Sequence, residues 1–207
     1  MRSGRDPMDV ELIAVTKTVS VERVREALDD GLRVFGESKV QEAALKIKDI
    51  RDFGGSLHMI GHLQKNKARR AVEMFDLIHS VDSLELLTEL DRHAAETEKV
   101  QRVLIEVKLS PEATKTGADE GEIEGILSGA RGLHNVRVDG LMTIPPYEEN
   151  PQAARPYFHR LKELAERFGL KELSMGMSHD FEVAIDEGAT MVRIGSAIFG
   201  ERVWVKT

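Results

Sequence analysis

The chain has no cysteine among its 207 residues, which excludes disulfides, thiolate metal sites and thiol nucleophiles and suits a reducing compartment. It has no basic excess: 36 acidic residues face 29 basic ones, for a formal net charge of -7. A phosphate-backbone binder is usually basic, so nucleic acid is not an expected partner of the whole chain. No uninterrupted apolar run approaches the length of a membrane span, and no membrane partner is expected. The opening Met1-Arg2-Ser3-Gly4-Arg5-Asp6-Pro7 lacks the apolar core of a signal peptide. Aromatic residues are scarce, at 5%, but 41% of the chain is hydrophobic and 31% charged, enough for one soluble domain with a sizeable core. No Pro/Gly/Ser linker or composition shift divides it, so a single domain over residues 1–207 is expected, with 1–10 as a polar stub and the cytoplasm as its setting.

Two periods alternate along the sequence. Short apolar, β-branched runs fall at 12–17, 32–38, 57–61, 77–82, 103–110, 138–144, 172–178 and 191–200. Contents such as Ile13-Ala14-Val15 and Met191-Val192-Arg193-Ile194 suit strands buried on both faces, as in a parallel sheet. Between them lie segments of helical period. One stripe is Ala154, Tyr157, Phe158, Leu161, Leu164, Ala165 and Phe168, closed by Gly169, which makes Tyr157 a core residue. A second is Val21, Val24, Ala27 and Leu28, with Ser20 as N-cap and Gly31 as stop; a third is Leu84, Leu87, Leu90 and Ala94. Repeated strand–helix alternation means α/β with right-handed crossovers, and this number of strands favours a closed (β/α)8 barrel over an open sheet. The stretch after Gly200 is too short for a full last helix and the stretch before Leu12 cannot replace it. One sector of the wall should therefore be thin, and a partner subunit could cover it.

In a parallel barrel the chemistry sits where strands end and βα loops begin. Those positions are Lys17, Ser38, Gly61-His62, Ser80, Thr143, Ser178 and Gly195-Ser196. Lys17 follows Leu12-Ile13-Ala14-Val15-Thr16 without a break and should leave a buried strand pointing at the mouth. There it can simply reach water, or, if desolvation lowers its pKa, attack a carbonyl to form a Schiff base. The loops after strands 7 and 8 of such barrels often hold a phosphate. Here they carry Met175-Gly176-Met177-Ser178 and Arg193-Ile194-Gly195-Ser196-Ala197. Glycines admit a ligand close to the backbone, successive N–H groups donate to an anion, and serines add hydroxyls. Such Gly-Ser pairs also commonly just shape turns. An amine facing a phosphate cup describes a site for a phosphorylated aldehyde.

The sequence resembles the pyridoxal phosphate homeostasis proteins, whose barrel looks like the N-terminal domain of alanine racemase, from about Leu12 to Arg202. The resemblance rests on Ala14-Val15-Thr16-Lys17-Thr18, Phe35-Gly36-Glu37-Ser38-Lys39-Val40-Gln41-Glu42, His58-Met59-Ile60-Gly61-His62-Leu63-Gln64-Lys65-Asn66-Lys67 and His79-Ser80-Val81-Asp82-Ser83. It continues through Thr114-Lys115-Thr116-Gly117, Gly140-Leu141-Met142-Thr143-Ile144, Met175-Gly176-Met177-Ser178-His179-Asp180 and Arg193-Ile194-Gly195-Ser196. It implies PLP fold type III, with pyridoxal 5′-phosphate (PLP) as cofactor held by Lys17 as an internal aldimine. Ser178, Gly195 and Ser196 then match the phosphate cup, and Arg193 matches the arginine that faces the pyridine nitrogen. A permanent guanidinium charge disfavours a protonated ring nitrogen and makes the cofactor a weaker electron sink. The family usually has an N-terminal helix before the lysine strand, where this sequence shows only a short polar stub: either its start is misassigned or that sector of the wall is bare. Ser38, also a cofactor-contact candidate, stands where asparagine is common, and Ser196 where threonine is usual.

The implied function is holding and buffering PLP, with release to apo PLP-dependent enzymes and without strong catalytic activity, as a monomer or weak homodimer. The rivals are a racemase and a Schiff-base aldolase acting on a sugar phosphate. Racemisation needs two bases, and the only tyrosines are Tyr147, after strand 6 and read as a lid residue, and Tyr157. Lys115 could relay the aldehyde but reads better as a solvated loop lysine. Other clusters carry less. His58 and His62 have metal spacing but sit at a strand end, with His58 expected in the barrel core and His62 on the loop, so no metal is expected. Lys65-Asn66-Lys67-Ala68-Arg69-Arg70 lacks interleaved aromatics and reads as a solvated helix face. Glu37, Asp82 and Asp139 sit near strand ends without the spacing of an acid–base pair.

Overall fold

A computed structural model describes residues 4–110, 112 and 116–200. Eight parallel strands close on themselves in sequence order: β1 (Glu11–Val15), β2 (Val34–Glu37), β3 (Ser56–Met59), β4 (Leu77–Val81), β5 (Gln101–Glu106), β6 (Val136–Met142), β7 (Glu172–Met177) and β8 (Met191–Ile194). β8 pairs back onto β1, with Ile13 opposite Arg193, so the sheet has no free edge. The helices between them are α1 (Val21–Asp29), α2 (Val40–Asp52), α3 (Ala68–Met74), α4 (Leu84–Glu96), α5 (Ile123–Ala130), α6 (Arg155–Phe168) and α7 (Phe181–Asp186), with a one-turn α8 (Ser196–Phe199) after β8. This is the (β/α)8 barrel expected from the alternation of periods.

Local chemistry sets the element ends. Ser20 caps α1 by accepting from the Arg23 N–H, and Ser83 caps α4 from Leu86. Gly169 ends α6 in the left-handed conformation that glycine adopts without strain, φ 68°. Phe158, Leu161, Leu164 and Ala165 bury one stripe of α6 on the barrel, as their spacing predicts. Tyr157 is only half-buried, at the edge of that stripe rather than in the core. Leu84 is likewise exposed at the start of α4, and Leu86 is buried in its place.

The run at 191–200 is not one strand. It stops at Ile194, and Gly195 turns the chain so that the N–H groups of Ile198 and Phe199 donate to its carbonyl. Apolar Ile198 and Phe199 extend the run in sequence but pack as helix. Among the described residues the wall is thin where β8 meets β1. The outer face of β1 and β8 borders a groove of about 970 Å³ lined by Val10, Leu12, Phe181, Val192 and Ile194, and Leu12 is 40% exposed. Residues 5–10 of the polar stub lie beside it: Pro7–Asp9 forms a 3-10 turn, and Arg5 donates to the carbonyls of Ala189 and Ile185.

Candidate cofactor site

Strand parity decides which side chains enter the barrel. Ile13, Leu77, Leu104, Met142 and Met191 form an inner apolar plug, so the residue two further along each strand also points inward. On β8 this is Arg193, on β4 His79 and on β5 Glu106; on β1 it is Val15, and two more places on is Lys17 at the mouth. Above the plug opens a cavity of about 900 Å³. Lys17, Ser38, Gly61, Ser178, Arg193, Gly195 and Ser196 all line it, as do Arg23, Tyr147 and His179. The six residues read from sequence as cofactor contacts thus share one concave site. His62, Ser80 and Thr143 do not line it. His62 Nδ1 lies 3.6 Å from Asp82, Ser80 is buried, and the Thr143 hydroxyl donates to the Val107 carbonyl.

Each part of the site is held from behind. Lys17 follows Thr16, which is fully buried. The Thr16 carbonyl accepts from Lys46 Nζ at 2.6 Å, and its hydroxyl donates to Glu37 at 2.7 Å. Thr18, next in the chain, has φ 63°, an uncommon conformation for a non-glycine residue, and its N–H donates to Glu42. Gly176 bends the end of β7 at φ 92°, where a Cβ would lie 2.5 Å from that of Ala184. The turn brings Ser178 up to β8, where its Oγ accepts from the N–H groups of Gly195 at 3.2 Å and Ala197 at 3.4 Å. Both are long for N–H···O bonds, so a charged oxygen at this place gains more from the two amides than the hydroxyl does.

Arg193 is 3% exposed. Its guanidinium donates to Ser174 Oγ at 2.6 Å and to the Thr143 carbonyl at 2.9 Å. Burial pushes its pKa down to about 10, against the opposing pull of Asp180 and Glu106, so it stays charged at neutral pH. Behind it lie Ser174 and His79, to which the sequence reading gave no role, and His58, which it placed in the barrel core. Ser174 meets His79 Nδ1 at 2.9 Å, and His79 Nε2 meets His58 Nδ1 at 3.2 Å. Burial lowers His58 to about 4 and holds His79 well below the usual imidazole range. Burial raises the Glu106 carboxyl, with the Thr116 hydroxyl donating to it in opposition. Inward parity with Leu77, Leu104 and Met191 marks this layer once the register of the closed sheet shows which face of each strand is inner.

The other candidates are placed elsewhere. His58 points into the barrel and His62 sits on the loop, as expected, so the two do not converge. Glu37 faces outward into an ion pair with Lys46, and Asp139 pairs with Arg102 and Arg137. Arg69 of the basic cluster lies 3.6 Å from Glu73. Tyr147 is 76% exposed at the rim, its ring 5.2 Å from that of His179. Lys115 lies outside the described residues. No helix among the described residues is long and apolar enough to cross a membrane.

An amine, a buried guanidinium and a cup of amides and hydroxyls around one cavity fit a phosphorylated aldehyde that carries a ring acceptor. Comparison with known proteins agrees. Residues 2–203 match the family model for the N-terminal domain of alanine racemase. A pyridoxal phosphate homeostasis protein of Aquifex aeolicus is 45% identical over 207 residues, covering 97% of this chain and 91% of the relative. The PipY protein of Synechococcus elongatus, solved with PLP bound, is 40% identical with TM-score 0.87, covering 96% of each chain. Alanine racemase of Clostridium difficile shares the fold at 14% identity and TM-score 0.71, but this chain spans only 53% of it. The chain belongs to the pyridoxal phosphate homeostasis proteins, within the alanine racemase N-terminal domain family.

Proposed function

We propose that this protein binds PLP in the mouth of its barrel and keeps it available for apo-enzymes in the cytoplasm, with little catalysis of its own. The carrying observation is that Lys17, Arg193 and the Ser178–Gly195–Ser196 cup line a single cavity. Bound there, PLP supplies an aldehyde to a primary amine. Lys17 offers that amine, and Ser178, Gly195 and Ser196 take the phosphate with two N–H groups and two hydroxyls. Ser38 lines the cavity at the end of β2. Arg193 presents only N–H donors to the cavity, so it accommodates a ring nitrogen with a free lone pair and repels a protonated one. That choice disfavours carbanion chemistry at an amino-acid α-carbon. Tyr147, the one tyrosine lining the cavity, lies at the exposed rim rather than beside Arg193 on the floor, which favours a carrier over a two-base racemase.

A visible-range absorption scan of the purified protein tests this reading. A yellow preparation is expected whose band is lost on borohydride treatment, with one pyridoxyl group then found on the Lys17 peptide by mass spectrometry. A colourless protein that takes up no PLP would sink it. Exchange of the alanine α-proton into heavy water at enzyme-like turnover would replace the carrier by a racemase.

A further inference from the structure

The proposed function uses only Arg193 from a line of polar side chains crossing the barrel interior. β3, β4, β7 and β8 contribute His58, His79, Ser174 and Arg193, each 3% exposed or less. The spacing runs 2.6 Å from Arg193 to Ser174, 2.9 Å from Ser174 to His79 and 3.2 Å from His79 to His58. The two imidazole rings are 5.2 Å apart, tilted at 41°.

Counting protons orders this line. A guanidinium only donates, so Ser174 Oγ accepts from Arg193. Ser174 must still place its own proton, and among the described residues the acceptor in reach is His79 Nδ1. His79 therefore carries its proton on Nε2, and donates it to His58 Nδ1. His58 in turn is protonated on Nε2. The opposite order would point a proton from His79 at Ser174 and leave the buried serine hydroxyl without an acceptor, at a cost that buried groups normally avoid. A charged His79 would do the same, beside a guanidinium that is already positive.

We propose that His79, acting through Ser174, is a positioning residue for Arg193: it fixes one direction of donation, Arg193 to Ser174 to His79 to His58, and so holds the guanidinium with its remaining N–H groups toward the cavity. The part that concerns what Arg193 meets there rests on the PLP reading. The order of protons does not, because it belongs to the chain alone.

Two measurements separate these. Long-range ¹H–¹⁵N spectra of the full chain at neutral pH should show both His58 and His79 as neutral tautomers protonated on Nε2. A proton on Nδ1 of His79 would overturn the proposal, whether or not the protein takes up PLP. In the PLP-loaded protein, Ser174→Ala should release cofactor about tenfold faster, as loss of a hydrogen bond to a charged group implies, and should shift the visible band. His79→Leu should behave like Ser174→Ala. His79→Gln, whose amide oxygen can still accept from Ser174, should stay within about threefold of the parent. Unchanged release and spectra in both disruptive variants, or equal loss in His79→Gln and His79→Leu, would show that the line does not position Arg193. Failure of the parent chain to bind PLP would sink the functional reading and leave the tautomer measurement to decide this one.

Discussion

Lys17 reaches the mouth because the residue before it cannot move. Thr16 is fixed through its carbonyl, hydroxyl and N–H, the last donating to Gly36. Lys17 itself is only half-buried and contributes little to the core. Lys17→Ala should therefore abolish covalent attachment of PLP while changing unfolding free energy by about 0.5 kcal/mol or less. Mass spectrometry after borohydride reduction, beside a urea titration, checks both halves. Pyridoxyl label retained by the variant would move the attachment to another amine, and a large stability loss would make Lys17 structural.

At the scale of elements, α2 is tied to β1 and β2 by an ion pair shielded from solvent. Lys46 on α2 meets Glu37 on β2 at 2.6 Å, and the other Glu37 oxygen, Oε2, has no hydrogen-bond partner. Removing the cation strands a carboxylate in an apolar wall, so Lys46→Met should cost about 3–5 kcal/mol. Adding Glu37→Leu should return much of that, since apolar replacement of a buried pair is often neutral. A double mutant no more stable than Lys46→Met would show that the pair has no replaceable role. Glu37 also marks what the sequence made legible and what it did not. The strands were readable because β-branched runs and helical stripes differ in period, and the cup because glycine and serine cluster at two strand ends. Lone polar residues inside apolar strands carry no such signature. Glu37 and His79 sit in similar contexts, yet one points out to α2 and the other into the barrel, and only the register of the closed sheet separates them. The end of β8 was misread for a related reason: Ile198 and Phe199 are apolar in either state, and the turn at Gly195 decides between strand and helix.

For the whole molecule, the buried imidazoles set how stability responds to acid. His58 is held at about 4 against an ordinary 6.5, mainly by burial, and His79 is lowered as well. The unfolded chain therefore binds protons at a higher pH than the folded one. The stability these groups contribute is present above pH 6.5 and is lost as pH falls through the folded value. For His58 alone this amounts to about 3 kcal/mol. The carboxylates work in a different window. Glu42, lowered by the Thr18 N–H, withdraws its contribution only below its ordinary value of 4.5. Glu106, raised by burial, acts in the opposite sense: protonating it on acidification favours the folded state and offsets part of the histidine loss. Urea midpoints should thus be flat above pH 7 and fall between about pH 6.5 and 4.5, before most carboxylates titrate. His58→Gln should flatten that fall, because the unfolded chain then has one fewer site to protonate. A midpoint that stays level down to pH 4.5 would mean that the folded barrel takes up protons at these rings. That outcome would also break the single direction of donation that ends at His58.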